Sequence, residues 1–188
     1  ATYEEARPAI IQKYSSLGYR DAHLVYDSII RKDEKFVIIK IAIDEGKKYY
    51  FRNITWIGNT KYRTSLLDTL LGISKGEIYD QSRLESKLFM SENGFDISSL
   101  YMDDGYLFFN VNPVEVLVEN DSIDLEMRIY EGKQATVNRV TIVGNDKTSD
   151  FVALRVIRTR PGDKFSRSDI QRSMRELATL GFFDPEGL

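Results

Sequence analysis

The sequence predicts an α+β protein made of tandem repeats, each with the element order β-α-α-β-β. Each repeat is expected to be a three-stranded sheet covered on one face by two helices. Three observations carry this prediction: a stretch of 24 residues recurs 86 positions later, apolar residues alternate where strands are expected, and leucines recur at helical spacing between those strands. The chain has 188 residues, which is enough for one or two domains.

The internal repeat is clearest between residues 36–59 and 122–145, where seven of the 24 positions are identical. Alternation of apolar and polar residues is typical of a half-buried strand. Apolar residues alternate at the same places in both copies, at Val37, Ile39 and Ile41 and again at Ile123, Leu125 and Met127. The chain is therefore expected to be an array of similar repeats.

The repeat boundaries follow from a Glu-Gly-Lys triplet that ends one repeat at 45–47 and the next at 131–133. Residues 1–47 are then the C-terminal part of a first repeat, 48–133 a complete middle repeat, and 134–188 the N-terminal part of a last repeat. Because neither end of the chain coincides with a boundary, we expect it to be cut from a longer array. The partial repeats should bury too little apolar surface to be fully stable, and in the last one this concerns Val140, Ile142, Val152, Ile170 and Leu177.

The strands of the middle repeat are predicted from composition and turns. A run of β-branched and aromatic residues over 51–57 ends at Gly58-Asn59 and indicates the first strand. Two further strands, over 107–119 and 122–130, are joined by the short Asn120-Asp121 connection and are expected to form a hairpin.

The helices of the middle repeat are predicted from the spacing of their leucines. Leucines over 66–71 recur at helical spacing and are followed by Gly72, a residue common just after helix ends. A second helix carries Leu84 and Leu88, and a further helical turn stops at Gly105.

The middle repeat carries an insertion in its second helix. Leu84 and Gly105 are 21 positions apart, whereas the corresponding Ile170 and Gly181 are 11 apart. We therefore expect about ten extra residues around 90–99.

Pro113 lies inside the second predicted strand of the middle repeat. Proline cannot donate a ladder hydrogen bond, so this strand is expected at a sheet edge, with a β-bulge at Asn112-Pro113 where the apolar alternation changes phase. An open edge can bind an extended peptide by β-augmentation. The alternative is that Pro113 only protects the edge against aggregation. The predicted peptide-binding edge consists of Asn110, Val111, Asn112, Pro113, Val114, Glu115, Val116 and Leu117.

Short connectors join the repeats. So few residues leave little reach between neighbouring repeats, and restricted hinge motion is expected. The connector residues are Lys47, Lys48 and Tyr49 between the first two repeats and Lys133, Gln134 and Ala135 between the last two.

Residues suited to catalysis or metal binding are scarce. The chain has no cysteine and one histidine, His23, which is predicted to be a partly exposed strand residue. The adjacent carboxylates of Asp103 and Asp104 lack the further ligands of a calcium loop. They are expected to form a solvated helix end, with compensation by a basic group as the alternative. We therefore predict no catalytic residue, no metal site and no cofactor.

The strongest charge cluster lies in the last repeat. The net charge of the chain is −3 and acidic residues dilute the cluster, so a nucleic-acid partner is not expected. We interpret the cluster as solvated helix faces, and an acidic protein partner or membrane headgroups remain as alternatives. It comprises Arg155, Arg158, Arg160, Lys164, Arg167, Arg172 and Arg175.

The tandem unit resembles the POTRA (polypeptide-transport-associated) domain. The resemblance is carried by Gly-Asn after the first strand, Gly-Glu/Asp-x-Tyr/Phe before the second helix (76–79 and 162–165), Tyr-x-x-x-Gly-Tyr at its end (14–19 and 101–106), and Glu-Gly after the third strand. These motifs recur in order and at near-constant spacing over essentially the whole chain. Residues 98–109 and 177–186 are similar to the POTRA regions of outer-membrane protein assembly factors.

This resemblance implies a function that the residues alone do not. It implies a non-enzymatic segment at the periplasmic face of the bacterial outer membrane that precedes a C-terminal β-barrel of the same chain. Its implied partners are unfolded outer-membrane protein clients and accessory assembly lipoproteins. Alternatives are the POTRA region of a two-partner secretion transporter or of a cell-division protein, and, from other classes, a small nucleic-acid-binding α/β module or an enzyme.

Overall fold

The computed structural model describes residues 3–91, 94–144 and 149–181. Two residues of the predicted insertion around 90–99, Asn145 of the second Gly-Asn motif and the last residues of the segment 177–186 lie outside this range. The helices and strands are α1 (Tyr3–Ser16), β1 (His23–Arg31), β2 (Val37–Asp44), β3 (Tyr50–Ile57), α2 (Thr64–Leu71), α3 (Gln81–Phe89), α4 (Ile97–Met102), β4 (Asn110–Glu119), β5 (Ser122–Tyr130), α5 (Asp150–Val156) and α6 (Arg167–Thr179). The predicted α+β class is confirmed. The middle repeat has the β-α-α-β-β order, with the predicted further helical turn forming a separate short helix, α4.

The described residues divide into two compact units. The first combines residues up to Ile57 with 72–86 and 113–127, and the second combines 58–71, 87–112 and the residues from Arg128 onward. The first unit contains the connector at 47–49 and the second contains the connector at 133–135, so each unit contains one of the predicted junctions between repeats. The repeat boundaries drawn from the sequence remain a prediction.

The middle repeat contains a three-stranded sheet with the order β3-β5-β4. Ile123, Leu125 and Met127 of the central strand are at most 1% exposed, as their alternation predicts. Within this sheet β4 lies at an edge, which is the position that Pro113 indicates.

The strand β4 begins three residues later than predicted. Residues 107–109 form a turn instead, because the N–H of Leu107 donates to the Gly105 carbonyl at 2.9 Å and that of Phe109 donates to the Tyr106 carbonyl at 3.0 Å. Backbone groups that are used in this turn are not available to the ladder with β5.

In the first repeat, β1 and β2 form an antiparallel two-stranded sheet with an irregularity between Leu24 and Tyr26. Val37, Ile39 and Ile41 are 57%, 43% and 38% exposed, although the residues that correspond to them in β5 are buried. The apolar residues of β2 therefore follow the same pattern as those of β5, but no described part of the chain buries them.

The first strand predicted for the last repeat does not form. Residues 137–143 have no strand pairing, and only Thr136 makes a bridge, to Lys164. In the middle repeat β3 pairs with β5, and the described part of the last repeat contains no strand equivalent to β5. Val137 exchanges backbone hydrogen bonds with Asp163 and Gly162, but no ladder continues beyond it among the described residues. Val140, Ile142, Val152 and Leu177 are half-buried and Ile170 is exposed.

Tyr101 forms the centre of the buried side chains in the second unit. Its ring stacks on Phe109 with centroids 4.1 Å apart and meets Tyr62 edge-on at 4.8 Å. In the same unit α4 packs against α2 and α6, and α5 packs against α6. Burial raises the pKa of the Tyr101 hydroxyl, and the hydrogen bond to Glu131 adds to this effect.

Candidate functional site

The outer edge of β4 is the first candidate site. Its second half carries three consecutive exposed apolar side chains, since Val116, Leu117 and Val118 are 50%, 49% and 42% exposed. Among the described residues β5 is the only strand that pairs with β4, and no backbone hydrogen bond outside the strands and helices involves residues 110–119. The edge therefore presents open backbone groups beside an apolar surface.

The middle of β4 is held by polar contacts within the first unit. Glu115 pairs with Arg20 at 2.6 Å and accepts a hydrogen bond from the Tyr79 hydroxyl at 3.4 Å. Burial raises the pKa of Tyr79 to about 12, and the negative charge of Glu115 contributes to the rise. Glu119, at the end of the strand, pairs with Arg52 at 2.7 Å. These contacts fix the strand on either side of its exposed apolar segment.

The two connectors make the same backbone hydrogen bond. The N–H of Tyr49 donates to the Gly18 carbonyl at 2.9 Å, and the N–H of Ala135 donates to the Gly105 carbonyl at 2.8 Å. Gly18 and Gly105 both have positive φ, of 99° and 93°. Each connector is therefore tied to the helix end of the repeat before it.

Side chains strengthen the first connector. The Tyr49 hydroxyl donates to Asp21 at 2.6 Å, and the Lys48 ammonium lies 5.7 Å from the centre of the Tyr19 ring. A Cβ atom on Gly18 would lie 2.7 Å from Cγ2 of Ile78, so the chain approaches closely at this point.

At the second connector, Asp104 is paired with basic side chains, and the exposed Asp103 accepts a hydrogen bond from α6. Asp104 pairs with Lys164 at 2.9 Å and with Lys61 at 3.0 Å. Asp103 accepts the backbone N–H of Ser168 at 2.8 Å, in the first turn of α6. The hydrogen bonds from Lys164 and Lys61 hold the pKa of Asp104 below its usual range. For Asp104 the alternative of compensation by basic groups is correct, whereas Asp103 is exposed as the expected solvated helix end requires.

Glu131 explains why Gly-Asn and Glu-Gly recur together. Its carboxylate accepts hydrogen bonds from the Thr60 hydroxyl, from the Lys61 N–H at 2.8 Å and from the Tyr101 hydroxyl at 3.1 Å. Burial opposes the ionisation of Glu131, but these hydrogen bonds outweigh it and lower its pKa. A Cβ atom on Gly58 would lie 2.2 Å from the Ile129 carbonyl oxygen, so the turn that Glu131 binds requires glycine.

The described residues offer little for catalysis. His23 is exposed on β1, and its Nδ1 lies 3.1 Å from the Asp21 carbonyl oxygen. Within the described ranges no cluster of three acidic or histidine side chains could hold a metal ion. None of the helices described here is long and apolar enough to cross a membrane.

The basic cluster of the last repeat is partly neutralised. Arg158 pairs with Glu176 at 2.6 Å and Lys164 with Asp104 at 2.9 Å. Arg167 donates to the Phe89 carbonyl at 3.1 Å. The cluster is therefore not one continuous cationic face.

The fold and the paired motifs agree with a comparison against protein families. The family model of POTRA, described as surface antigen variable number repeat, matches residues 49–132 and 135–186. The chain belongs to the POTRA family. The two matched segments adjoin the connectors at Tyr49 and Ala135, where the repeated backbone hydrogen bonds are made.

Curated relatives that are similar to the chain include outer membrane protein assembly factors. The chain is 30% identical over 171 residues to the outer membrane protein assembly factor BamA of Nitratidesulfovibrio vulgaris, covering 88% of this chain and 21% of that protein. It is 27% identical over 173 residues to BamA of Neisseria meningitidis serogroup B, covering 91% of this chain and 21% of the relative. The chain thus spans about a fifth of the length of these relatives.

A solved structure supports the fold independently. The crystal structure of Haemophilus influenzae BamA POTRA3-5 aligns with a TM-score of 0.77 at 21% identity, covering 98% of this chain and 71% of that one. At this identity the likeness concerns the POTRA fold alone.

Proposed function

We propose that this chain is the periplasmic POTRA region of an outer-membrane protein assembly factor, in which it acts as a non-enzymatic scaffold for unfolded β-barrel clients. The observation that carries the proposal is the open edge of β4 with its exposed apolar segment Val116–Val118. The similarity to BamA proteins supports the choice of client.

Binding would occur by β-augmentation along residues 110–119. Main-chain hydrogen bonds are independent of side-chain identity, so one edge can accept many β-rich clients. Each hydrogen bond contributes about 0.5–1.5 kcal/mol net, and a few of them give weak, reversible capture. The exposed apolar side chains add affinity for the alternating apolar residues of a barrel strand.

The proposal also covers the location and the partners of the chain. It would lie at the periplasmic face of the bacterial outer membrane, dock accessory assembly lipoproteins and precede a C-terminal β-barrel in the full-length protein. The POTRA regions of two-partner secretion transporters and of cell-division proteins are the alternatives. The number of POTRA repeats and a downstream barrel in the full gene product distinguish them.

The edge can be tested with backbone-modified peptides. Isotope-labelled full chain is titrated with a peptide copied from an outer-membrane β-strand, and with two versions that are N-methylated at alternate residues on one edge or on the other. Augmentation uses only one edge of the peptide, so one version should lose binding while the other keeps it. Amide shifts should concentrate at 110–119.

The two N-methylated peptides serve as matched controls, because they have the same side chains and the same number of methyl groups. If neither methylated peptide binds more weakly than the unmodified one, or if the amide shifts lie on the helices, the proposal of β-augmentation is wrong. Absence of binding at millimolar peptide would leave Pro113 with a purely protective role.

A further inference from the structure

A groove in the second unit lies between α6 and residues 90–91 and 94–99, which belong to the insertion predicted for the middle repeat. Its volume is about 610 Å³. Three exposed apolar side chains line it: Met90 is 70% exposed, Phe95 68% and Met174 41%. Methionine adapts its shape to different partners, so this lining suits an apolar side chain from another molecule.

The same groove is lined by cations. Arg167, Arg172 and Arg175 project from one helix, α6, and Arg172 and Arg175 are exposed. Neither Arg172 nor Arg175 makes an ion pair or a side-chain hydrogen bond with any part of the chain that the structure describes. Arginine binds carboxylates in a planar, bidentate way, so these two side chains are available for acidic groups.

Two carboxylates also line the groove, but both are already bound. Asp96 is 2% exposed and accepts the N–H groups of Ser99 at 2.8 Å and of Ser91 at 3.1 Å. Asp103 accepts the N–H of Ser168. They hold the walls of the groove together, and neither is paired with Arg172 or Arg175.

We propose that this groove binds an acidic amphipathic helix of a partner protein, with apolar side chains against Met90, Phe95 and Met174 and carboxylates on Arg172 and Arg175. This is a second binding site, separate from the edge of β4. The two sites differ in chemistry, because the groove is lined by helix and loop side chains and offers no strand edge for main-chain pairing.

A protein helix fits the groove better than a membrane surface does. The apolar residues lie in a concavity with cations along one wall, which matches the helix-in-groove mode of recognition. A bilayer surface is broad and flat and favours an extended cationic face. This chain carries a net charge of −3, and Arg158 and Lys164 of the basic cluster are paired with carboxylates.

The test uses the whole 188-residue chain and a synthetic helical peptide of about 18 residues, which forms five turns of helix. The peptide has leucines along one face and glutamates beside them. We expect amide shifts at 90–99 and 167–175 and micromolar to millimolar affinity. The double variant Arg172→Glu/Arg175→Glu should weaken binding by about tenfold or more, and a peptide with lysine in place of glutamate should not bind.

Two matched variants separate the groove from general electrostatics and general hydrophobicity. Arg155→Glu/Arg160→Glu makes the same charge change in the same repeat but lies along a different surface. Phe95→Ser removes an exposed aromatic ring from the groove, and Phe151→Ser removes one that is 72% exposed on α5. Only the groove variant of each pair should lose peptide binding. Thermal unfolding verifies that all four remain folded.

Several outcomes would overturn the proposal. Equal loss in both charge-reversal variants would mean non-specific attraction, and no binding at millimolar peptide would mean that the groove has no such ligand. Vesicles of phosphatidylglycerol and phosphatidylcholine are tested in parallel, and binding to them that depends on Arg172 and Arg175 would assign the cations to lipid. None of these results bears on the β4 edge, which has its own peptides.

Discussion

The backbone N–H of Lys61 donates a 2.8 Å hydrogen bond to the carboxylate of Glu131, 70 residues later in the chain. This bond joins the turn after β3 to the end of β5. Two motifs that look unrelated in the sequence, Gly-Asn and Glu-Gly, are therefore the two halves of one contact. The contact is made inside the second unit and also includes the buried Tyr101.

Removing this carboxylate should destabilise the chain. We expect Glu131→Ala to lower the free energy of unfolding by about 1–3 kcal/mol. The Lys61 N–H and the hydroxyls of Thr60 and Tyr101 would each lose a charged acceptor. Glu45→Ala is the matched control, since Glu45 occupies the same motif position in the first repeat and is exposed. Its effect should stay within about 0.5 kcal/mol. Urea unfolding of both variants measures the difference, and equal effects would contradict it.

Gly58 should tolerate a methyl group less well than Gly76 does. Their φ values are 90° and 86°, so alanine is strained by about the same amount at either position, roughly 1–3 kcal/mol. A Cβ atom at Gly58 would lie 2.2 Å from a backbone oxygen, whereas at Gly76 nothing lies within 4 Å. Gly58→Ala should therefore lower the melting temperature clearly more than Gly76→Ala. Similar melting temperatures would show that the approach to Ile129 is not limiting.

Stability should fall in acid as Asp104 is protonated. Its folded-state pKa is lowered by Lys164 and Lys61, so the stabilisation is fully present above the unfolded-state pKa of about 3.9 and is lost as the pH falls through the folded-state value. Melting temperatures measured from neutral pH downward should decrease in this range, and less steeply in Asp104→Asn. If Asp104→Asn leaves the dependence of the melting temperature on pH unchanged, the ion pairs of Asp104 are not a cause of the acid destabilisation.

The connectors should be stiff on the time scale of amide exchange. The N–H groups of Tyr49 and Ala135 donate to glycine carbonyls, so both should exchange with solvent much more slowly than those of the neighbouring Lys48 and Gln134. Ala135→Pro removes the second donor and should raise exchange around Gly105 without affecting Tyr49. Fast exchange at both donors in the unmodified chain would mean that the junctions open freely.

Much of the fold could be predicted because its causes are local. Proline cannot donate within a ladder, so Pro113 placed β4 at an edge, and the alternation along 123–127 identified a buried strand face. The last repeat was harder, since residues 137–143 have the composition of a strand but no described partner to pair with. The pairs Asp104–Lys164 and Arg20–Glu115 join residues that are distant in sequence, and no spacing rule indicates them. Local sequence patterns do not specify which lysine or arginine forms an ion pair with which distant carboxylate.

The junction bonds have a consequence for how such arrays can change over generations. Tyr49 and Ala135 have very different side chains, yet each donates the same main-chain hydrogen bond to a glycine carbonyl. Every residue except proline carries the donor of this hydrogen bond, so the bond itself does not depend on the side chain of the connector residue. Gene duplication or recombination can therefore add, delete or exchange modules and keep the joint intact, while the surfaces of each copy diverge toward their own ligands.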